Sequence, residues 1–318
     1  MLAPVTLDAI RQARSHIASY AMRSPLIRLP GWEGPGVIYL KLENLQPMGS
    51  YKIRGAAHAL LQLDPAQREQ GVWTASAGNM ALALAWCARG MSIPCTVIVP
   101  HDAPRVKLDA IQSQAARIIQ VPFPQYQEIQ RAGSYTGAAG TLIHPFADER
   151  VMAGNGTIAL EILEDLPDAD AFLVPYGGGG LSCGIAACVR AVKAGVKVYA
   201  CEVETAAPLA ASLAGGHPTT VSYIPSFISG MGAPFVFPQM WSLASQLLDG
   251  SLVVSLAQAA QAIRLLAERV HVVAEGAGGV SLAAALAGVA GRGKIVCLVS
   301  GGNIDMGIFT KILSGLMP

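Results

Sequence analysis

Short apolar runs alternate with alanine-rich segments along most of this chain. The runs are GVIYLKLE, CTVIVP, ARIIQVP, AFLVPY, KVYACE and KIVCLVS, and the segments between them include GNMALALAWCARG and CGIAACVRAVKAG. Nearly continuous apolar strands separated by helices predict parallel sheets that helices cover on both faces, so the expected fold class is α/β. A length of 318 residues allows one large domain or two lobes that share a cleft.

Composition and charge exclude several classes of function. Hydrophobic residues make up 52% of the chain and the formal net charge is +1, which argues against disorder and gives no electrostatic case for binding nucleic acid. The N-terminal 25 residues have the spacing of an amphipathic helix, and Arg89, Gly90 and Pro94 interrupt the longest apolar stretch. Six scattered cysteines without a CxxC pair suit a reducing compartment. We expect a soluble cytoplasmic protein with no membrane contact.

A run of four glycines, Gly177 to Gly180, follows one predicted strand and precedes a predicted helix. Open backbone N–H groups and the positive end of a helix form a phosphate site in such a loop. The run fits neither the dinucleotide pattern nor the Walker pattern, because Ser182 or Cys183 stands where the third glycine is needed and no Gly-Lys-Ser/Thr follows. A tight turn without a ligand remains open as an alternative.

Lys52 lies between a turn-forming Pro47-Met48-Gly49-Ser50 and small residues. A lysine near a helix start is usually a solvated charge. A chain with a phosphate cradle, no metal-ligand cluster and no nucleotide fingerprint would instead use such an amine to hold a phosphorylated aldehyde.

Two further loops are polar where a strand is predicted to end. Ser76 to Asn79 offer N–H groups for a carboxylate and an amide for a ring hydroxyl, although a helix N-cap explains the same residues. Ser300, in SGGNID, would place a hydroxyl at a strand end beside a ring nitrogen, or would only begin a turn.

The order of these motifs resembles the pyridoxal-phosphate enzymes of fold type II, with a tryptophan synthase β-like fold. The motifs are SYKIRGA, TASAGN, HPFxD, GxGTIxLEI, VPxGGGGL and SGGNID, and the resemblance is greatest to threonine/serine dehydratases and serine racemases. It implies pyridoxal 5'-phosphate as the cofactor and Lys52 as the catalytic lysine that holds it. The other implied cofactor contacts are Tyr51, Asn79, Gly177, Gly178, Gly179, Gly180, Leu181, Glu275 and Ser300, and the implied substrate contacts are Ser76, Ala77, Gly78, Asn79 and Met80.

The resemblance also implies the type of reaction. A neutral serine hydroxyl at the ring nitrogen makes the ring a weaker electron sink than a carboxylate would, which favours prompt loss of a β-substituent. Serine racemases carry a second acid/base where this chain has Ala77, whose methyl group cannot move protons. We therefore expect a dehydratase that converts a 3-hydroxy amino acid to a 2-oxo acid and ammonia. An amino-acid racemase, a β-replacement enzyme and a non-catalytic binding protein remain alternatives.

Departures from the family pattern refine this expectation. Met80 and Leu82 replace polar residues of the relatives, and Met231 lies in an unusually apolar loop, which together predict L-threonine or a bulkier, less polar substrate. In the racemase-like cation site Glu202 is present, but Pro208 stands at the aspartate position, so we expect no metal. The resemblance further implies a large cofactor-binding domain of residues 1–43 and 149–318, a small mobile domain of residues 44–148, and a homodimer.

Overall fold

The structure, a computed structural model, describes residues 2–288 and 291–318 of the chain. The helices in these residues are α1 (Leu7–His16), α2 (Lys52–Leu61), α3 (Pro65–Gln70), α4 (Asn79–Gly90), α5 (Arg105–Gln112), α6 (Phe123–Ala132), α7 (Glu149–Asp165), α8 (Gly180–Val192), α9 (Pro208–Gly215), α10 (Pro238–Leu247), α11 (Leu256–Leu265), α12 (Gly276–Leu286) and α13 (Met306–Leu313). The strands are β1 (Leu26–Arg28), β2 (Val37–Leu42), β3 (Val72–Ala75), β4 (Cys95–Pro100), β5 (Arg117–Val121), β6 (Thr141–Leu142), β7 (Ala171–Pro175), β8 (Lys197–Val203), β9 (Gly250–Val254) and β10 (Lys294–Val299).

Two sheets organise the described residues. The larger has the order β1-β2-β10-β7-β8-β9 and is parallel except for β1, which pairs antiparallel with β2. The smaller has the order β5-β4-β3-β6 and is parallel throughout. Mainly parallel sheets with helices packed on them confirm the predicted α/β class.

Side chains of the large sheet divide between two cores according to the two-residue period of a strand. Phe172 and Val174 of β7 pack with α7, α8 and α10, whereas Leu173 between them packs with α11 and α12. All five residues of β7 are buried. Burial on both faces explains why this strand reads as an unbroken apolar run in the sequence.

All strands of the small sheet, together with helices α2 to α6, lie within residues 44–148. The assignment of this range to a separate mobile domain stays a prediction. Helix α2, which begins at Lys52, packs against α7, and α7 packs against α8.

Glycines bring these three helix backbones unusually close. A Cβ atom on Gly154 would lie 2.5 Å from the Arg54 carbonyl oxygen, and one on Gly184 would lie 2.4 Å from that of Met152. Only glycine avoids both clashes, so the contacts fix the start of α2 relative to α8 and the glycine loop before it.

A cluster of charged side chains lies in the core beneath Lys52. Arg54 donates from Nε and Nη2 to the two carboxylate oxygens of Glu43, at 2.8 Å each, and from Nη1 to Glu161 Oε1 at 2.7 Å. Lys41 Nζ donates to Glu161 Oε2 at 2.6 Å. All four residues are buried, and their two positive and two negative charges balance. This cluster ties α2 to the end of β2 and to α7.

Candidate active site

Backbone hydrogen bonds hold the segment before Lys52 against the end of β10. Tyr51 N donates to Ser300 O at 3.1 Å, and Gly302 N donates to Gly49 O at 2.9 Å. Ser50 and Gly301 form an isolated antiparallel bridge. Two loops distant in the sequence, SYK and SGGN, are thereby joined, as parallel-strand topology permits at the carboxyl edge of a sheet.

The Lys52 amine is half-buried and has one protein acceptor among the described residues. Nζ donates to Pro145 O at 2.7 Å and lies 5.1 Å from the centroid of the Tyr51 ring. Burial lowers the pKa of Lys52 to about 8, and the Glu275 carboxylate opposes this shift. The amine therefore becomes a neutral nucleophile and base at a lower pH than an ordinary lysine does.

The glycine loop presents a row of unpaired amides. Among the described residues the N–H groups from Gly177 to Ser182 have no acceptor, and the first bond of α8 runs from Cys183 N to Gly179 O. A Cβ on Gly178 would lie 2.2 Å from the Phe146 ring, and one on Gly180 would lie 2.5 Å from Phe146 O. The loop combines free N–H donors with the positive end of a 13-residue helix, which suits a phosphate. The Leu181 side chain itself is buried in the core.

The TASAGN loop forms a second helix N-terminus with free donors. Ser76, Ala77, Gly78 and Asn79 are half-buried, and within the described residues the N–H groups of Asn79, Met80 and Ala81 have no acceptor. Gly78 N donates to Ser76 Oγ at 3.3 Å. The side-chain cap from Ser76 or Asn79 that the sequence left open as an alternative is not formed on α4. The free amides therefore suit a substrate carboxylate.

Ala77 is half-buried and packs against one core cluster, whereas Met80 points fully into another. Met80 is 1% exposed and packs in the core with Ile53 and Leu84. Met231 is likewise buried, at 4% exposure, in a core cluster. Their burial gives no support to the prediction that these two methionines make the substrate pocket less polar, which stays a prediction. Met80 retains only its backbone N–H as a possible contact.

Asn79 of the TASAGN loop meets Glu275, whose backbone N–H donates to Gly301 O, next to Ser300 in the chain. Asn79 Nδ2 donates to Glu275 Oε1 at 2.6 Å. Burial raises the pKa of Glu275 to about 7, while the bond from Asn79 and the charges of Lys107 and Lys52 oppose that shift. Ser300 is buried, and its hydroxyl forms no hydrogen bond with residues 2–288 or 291–318.

Two contacts of the site lie in the HPFxD motif, for which the sequence suggested no role. Pro145 supplies the carbonyl that Lys52 bonds, and Phe146 packs on Gly178. His144 sets this turn, because its Nδ1 accepts from Ala147 N at 3.0 Å while Nε2 lies 3.0 Å from Gln130 O. In the sequence, only the position of the motif between TASAGN and the glycine loop could have indicated that it contributes to the site.

Glu202, which stands at a cation-ligand position of the racemase-like relatives, accepts hydrogen bonds from backbone amides. Glu202 accepts from Leu209 N at 2.9 Å and Ala210 N at 2.7 Å, and also from Ser251 Oγ at 2.6 Å. Glu204 accepts from Leu256 N at 2.8 Å. No cluster of three or more His, Cys, Asp or Glu suited to a metal ion occurs in the described part of the chain.

Comparisons with known proteins agree with this geometry. A family model described as "Pyridoxal-phosphate dependent enzyme" matches residues 17–301. The L-threonine ammonia-lyase of Thermotoga maritima is 37% identical over 98% of this chain and 78% of its own length. The serine racemase of Oryza sativa subsp. indica is 31% identical over 96% of this chain and 93% of its own. The structure of maize serine racemase superimposes with a TM-score of 0.86 at 31% identity, covering 98% of each chain.

The residues present fit pyridoxal phosphate. The glycine loop packs closely on Phe146 and leaves its amides free for the phosphate, and Lys52 supplies an amine for the aldehyde. The second Nδ2–H of Asn79 has no acceptor among the described residues and is free to donate to the ring hydroxyl of the cofactor. The Ser300 hydroxyl, which has no partner in the described residues, suits the ring nitrogen.

The lowered pKa of Lys52 predicts a distinctive pH dependence in the cofactor-free protein. Only the neutral amine reacts with acetic anhydride, so the labelling rate of Lys52 should rise with pH around a midpoint of about 8. An ordinary lysine has its midpoint near about 10.4. The measurement is mass spectrometry of the peptide that contains Lys52 after brief labelling between pH 6 and 11, with a lysine model peptide in the same tube. A midpoint of Lys52 equal to that of the model peptide would contradict the burial effect.

Proposed function

Because this chain belongs to the pyridoxal-phosphate dependent enzyme family, we propose that it is a lyase acting on a 3-hydroxy amino acid, with L-threonine as the first candidate. Loss of the β-hydroxyl as water and later addition of water give a 2-oxo acid and ammonia. The observation that carries the choice of elimination is Ala77. The loop that faces the substrate offers a methyl group there, where a racemase needs a side chain that can move a proton. The similarity to an L-threonine ammonia-lyase supports the same choice.

Each site residue has a task in this reaction. When bound, pyridoxal phosphate withdraws electrons from the Cα atom of an amino acid joined to its aldehyde. The amides of the glycine loop would hold the phosphate, and those at the start of α4 would hold the substrate carboxylate. Lys52 would hold the aldehyde and, once displaced by the substrate, would remove the Cα proton as a neutral amine.

Closure of residues 44–148 over the substrate is part of the proposal. Two contacts between this range and the loop of residues 221–237 support it. Lys107 Nζ lies 3.3 Å from Ser229 Oγ, and the Arg131 guanidinium lies 4.0 Å from the centroid of the Phe235 ring. Lys107 lies on α5 and Arg131 on α6, two helices that connect strands of the small sheet, so both contacts would form or break as the cleft closes and excludes water.

Two further proposals concern the setting of the enzyme. None of the six cysteines forms a disulfide, which supports a reducing compartment such as the cytoplasm. Apolar side chains exposed near the C-terminus, namely Met306, Leu313, Leu316 and Met317, support a homodimer. None of the described helices combines the length and the apolar character that crossing a membrane requires.

The test of the proposed function is an assay of purified protein loaded with pyridoxal phosphate. We expect L-threonine to release a 2-oxo acid and ammonia in equal amounts, L-serine to react more slowly, and the product to appear without an added nucleophile. Chiral chromatography of the remaining amino acid checks for racemisation. Conversion to the D-amino acid faster than ammonia release would favour a racemase, and activity that requires an added thiol would favour β-replacement.

A further inference from the structure

Asn303, the last residue of SGGN, joins two parts of the site through its side-chain amide. Its Nδ2 donates to Met48 O at 2.8 Å and to Asn79 Oδ1 at 2.8 Å. Asn79 in turn donates from Nδ2 to Glu275 Oε1 at 2.6 Å. A continuous chain of hydrogen bonds therefore runs from the turn before Lys52 to the carboxylate of Glu275.

The backbone carbonyl at one end fixes the direction of this chain of hydrogen bonds. The Met48 end decides it, because a backbone carbonyl such as Met48 O only accepts hydrogen bonds, and the same Asn303 nitrogen faces both Met48 O and Asn79 Oδ1. Asn303 must therefore turn its NH2 group towards Met48 and Asn79. Asn79 must accept with Oδ1 and keep its NH2 group on the side of Glu275. One N–H of that group is then left to donate to a ring oxygen in the cofactor site.

Asn303 also packs on the turn that leads into α2. Met48 has a φ of 62° and Gly49 a φ of 70°, and a Cβ on Gly49 would lie 2.7 Å from Asn303 Oδ1. A φ in this region is costly for a residue other than glycine, so Met48 depends on its surroundings to hold it there. The bond from Asn303 to Met48 O is one such restraint, and it lies four residues before Lys52.

We propose that Asn303 is a positioning residue, which orients the Asn79 amide so that it presents a donor to the cofactor ring and which holds the turn before Lys52. This inference rests on the proposed function, because the ring belongs to the cofactor of that reaction. Asn303 acts through Asn79 and the Met48 turn and needs no contact with the reacting atoms.

The substitution Asn303→Asp tests the proposal with an almost unchanged shape. A carboxylate cannot donate to Met48 O or Asn79 Oδ1, so Asn79 must rotate and donate to Asp at this position. Its NH2 group then leaves Glu275 and the ring. Donation from Asn79 stabilises the ionised ring oxygen, so its loss should raise the pH midpoint of the bound cofactor's absorbance change by about one unit, a tenfold change. We expect kcat to fall about tenfold and KM to stay within about twofold, as for an interaction that matters in the transition state.

Three controls separate orientation from charge and from stability. Asn303→Ala removes the donor without forcing Asn79 to rotate, so its shift should be smaller than that of Asn303→Asp. In an Asn79→Ala background, Asn303→Asp should shift the absorbance midpoint no further. Asn303→Asp adds one negative charge near Glu275 in both backgrounds, so a pure charge effect would shift the midpoint equally with and without Asn79, while Lys52 and Lys107 stay unchanged. The thermal midpoint of the cofactor-free variants should stay within about 3 °C of the wild type, as expected for the loss of two exposed hydrogen bonds.

Two results would overturn the inference while the proposed function stands. One is an absorbance midpoint for Asn303→Asp equal to that of the wild type. The other is an equal shift of the midpoint with and without Asn79. Failure of the wild-type protein to bind pyridoxal phosphate or to release ammonia from any 3-hydroxy amino acid would instead refute the proposed function itself.

Discussion

Replacing Lys52 by alanine is expected to abolish ammonia release while the protein stays folded. The amine is half-buried and bonded only to Pro145 O among the described residues, so its removal breaks one hydrogen bond and no ion pair. Loss of the group that holds the aldehyde and moves the Cα proton should lower kcat by more than about 1,000-fold. The measurement is a coupled assay of 2-oxo acid, combined with the absorbance of the purified protein to detect covalently held cofactor.

Lys193→Ala is a matched control for this substitution. Lys193 Nζ also donates to a proline carbonyl, Pro167 O, at 2.6 Å, but it follows the end of α8 that is farthest from the glycine loop. Its loss should leave activity and absorbance unchanged. Retention of more than a few per cent of wild-type activity in Lys52→Ala would remove Lys52 from the mechanism and undo the proposed function.

Replacing Arg54 by methionine is expected to produce the largest loss of stability. The change leaves Glu43 and Glu161 buried with only Lys41 to balance them. Burial raises the pKa of Glu43, but the charge and hydrogen bonds of Arg54 more than offset this and hold the pKa below its usual range. Removing one partner from a buried charge cluster costs about 3–5 kcal/mol, a large part of the stability of a typical protein. Urea denaturation of the cofactor-free protein measures this change in the free energy of unfolding.

The pH dependence and two further variants check that charge balance is the cause. Because the pKa of Glu43 is depressed, its contribution to stability is present above its unfolded pKa and is lost as the pH falls through the folded value. The double variant Arg54→Met/Glu43→Gln restores neutrality around the Lys41–Glu161 pair and should recover part of the loss. Arg105→Met removes a partner from an exposed pair with Asp109 and should cost less than about 1 kcal/mol. A cost for Arg54→Met as small as that for Arg105→Met would contradict the role of the cluster.

Local patterns were sufficient to predict much of the fold. Each of the six apolar runs contains a strand. A strand that is buried on both faces needs apolar residues at nearly every position, so it is recognisable from its own residues. Strands β1, β6 and β9 were not predicted, since their mostly half-buried residues carry no long apolar signal. The glycine loop and the TASAGN loop were predicted as anion sites because free amides at a helix start depend on a few consecutive residues.

Side-chain direction was the property that local patterns could not supply. Met80 follows directly on the polar loop in the sequence, yet the turn of α4 directs its side chain into the core of the smaller sheet. The sequence likewise gave no sign that Arg54 would meet Glu43 and Glu161, because those residues are brought together only by the packing of α2 on β2 and α7.

The sequence by itself determined the α/β class, the lysine, and the two loops whose amides can hold a phosphate and a carboxylate. These features depend on residues that are adjacent in the chain, where backbone geometry and propensity act over short distances. Only the tertiary structure decided the lowered pKa of Lys52, the pairing of Asn79 with Glu275, and the bonds of Asn303 to Met48 and Asn79. Those properties depend on groups up to 255 residues apart, and burial and hydrogen-bond geometry between such groups exist only once the chain has folded.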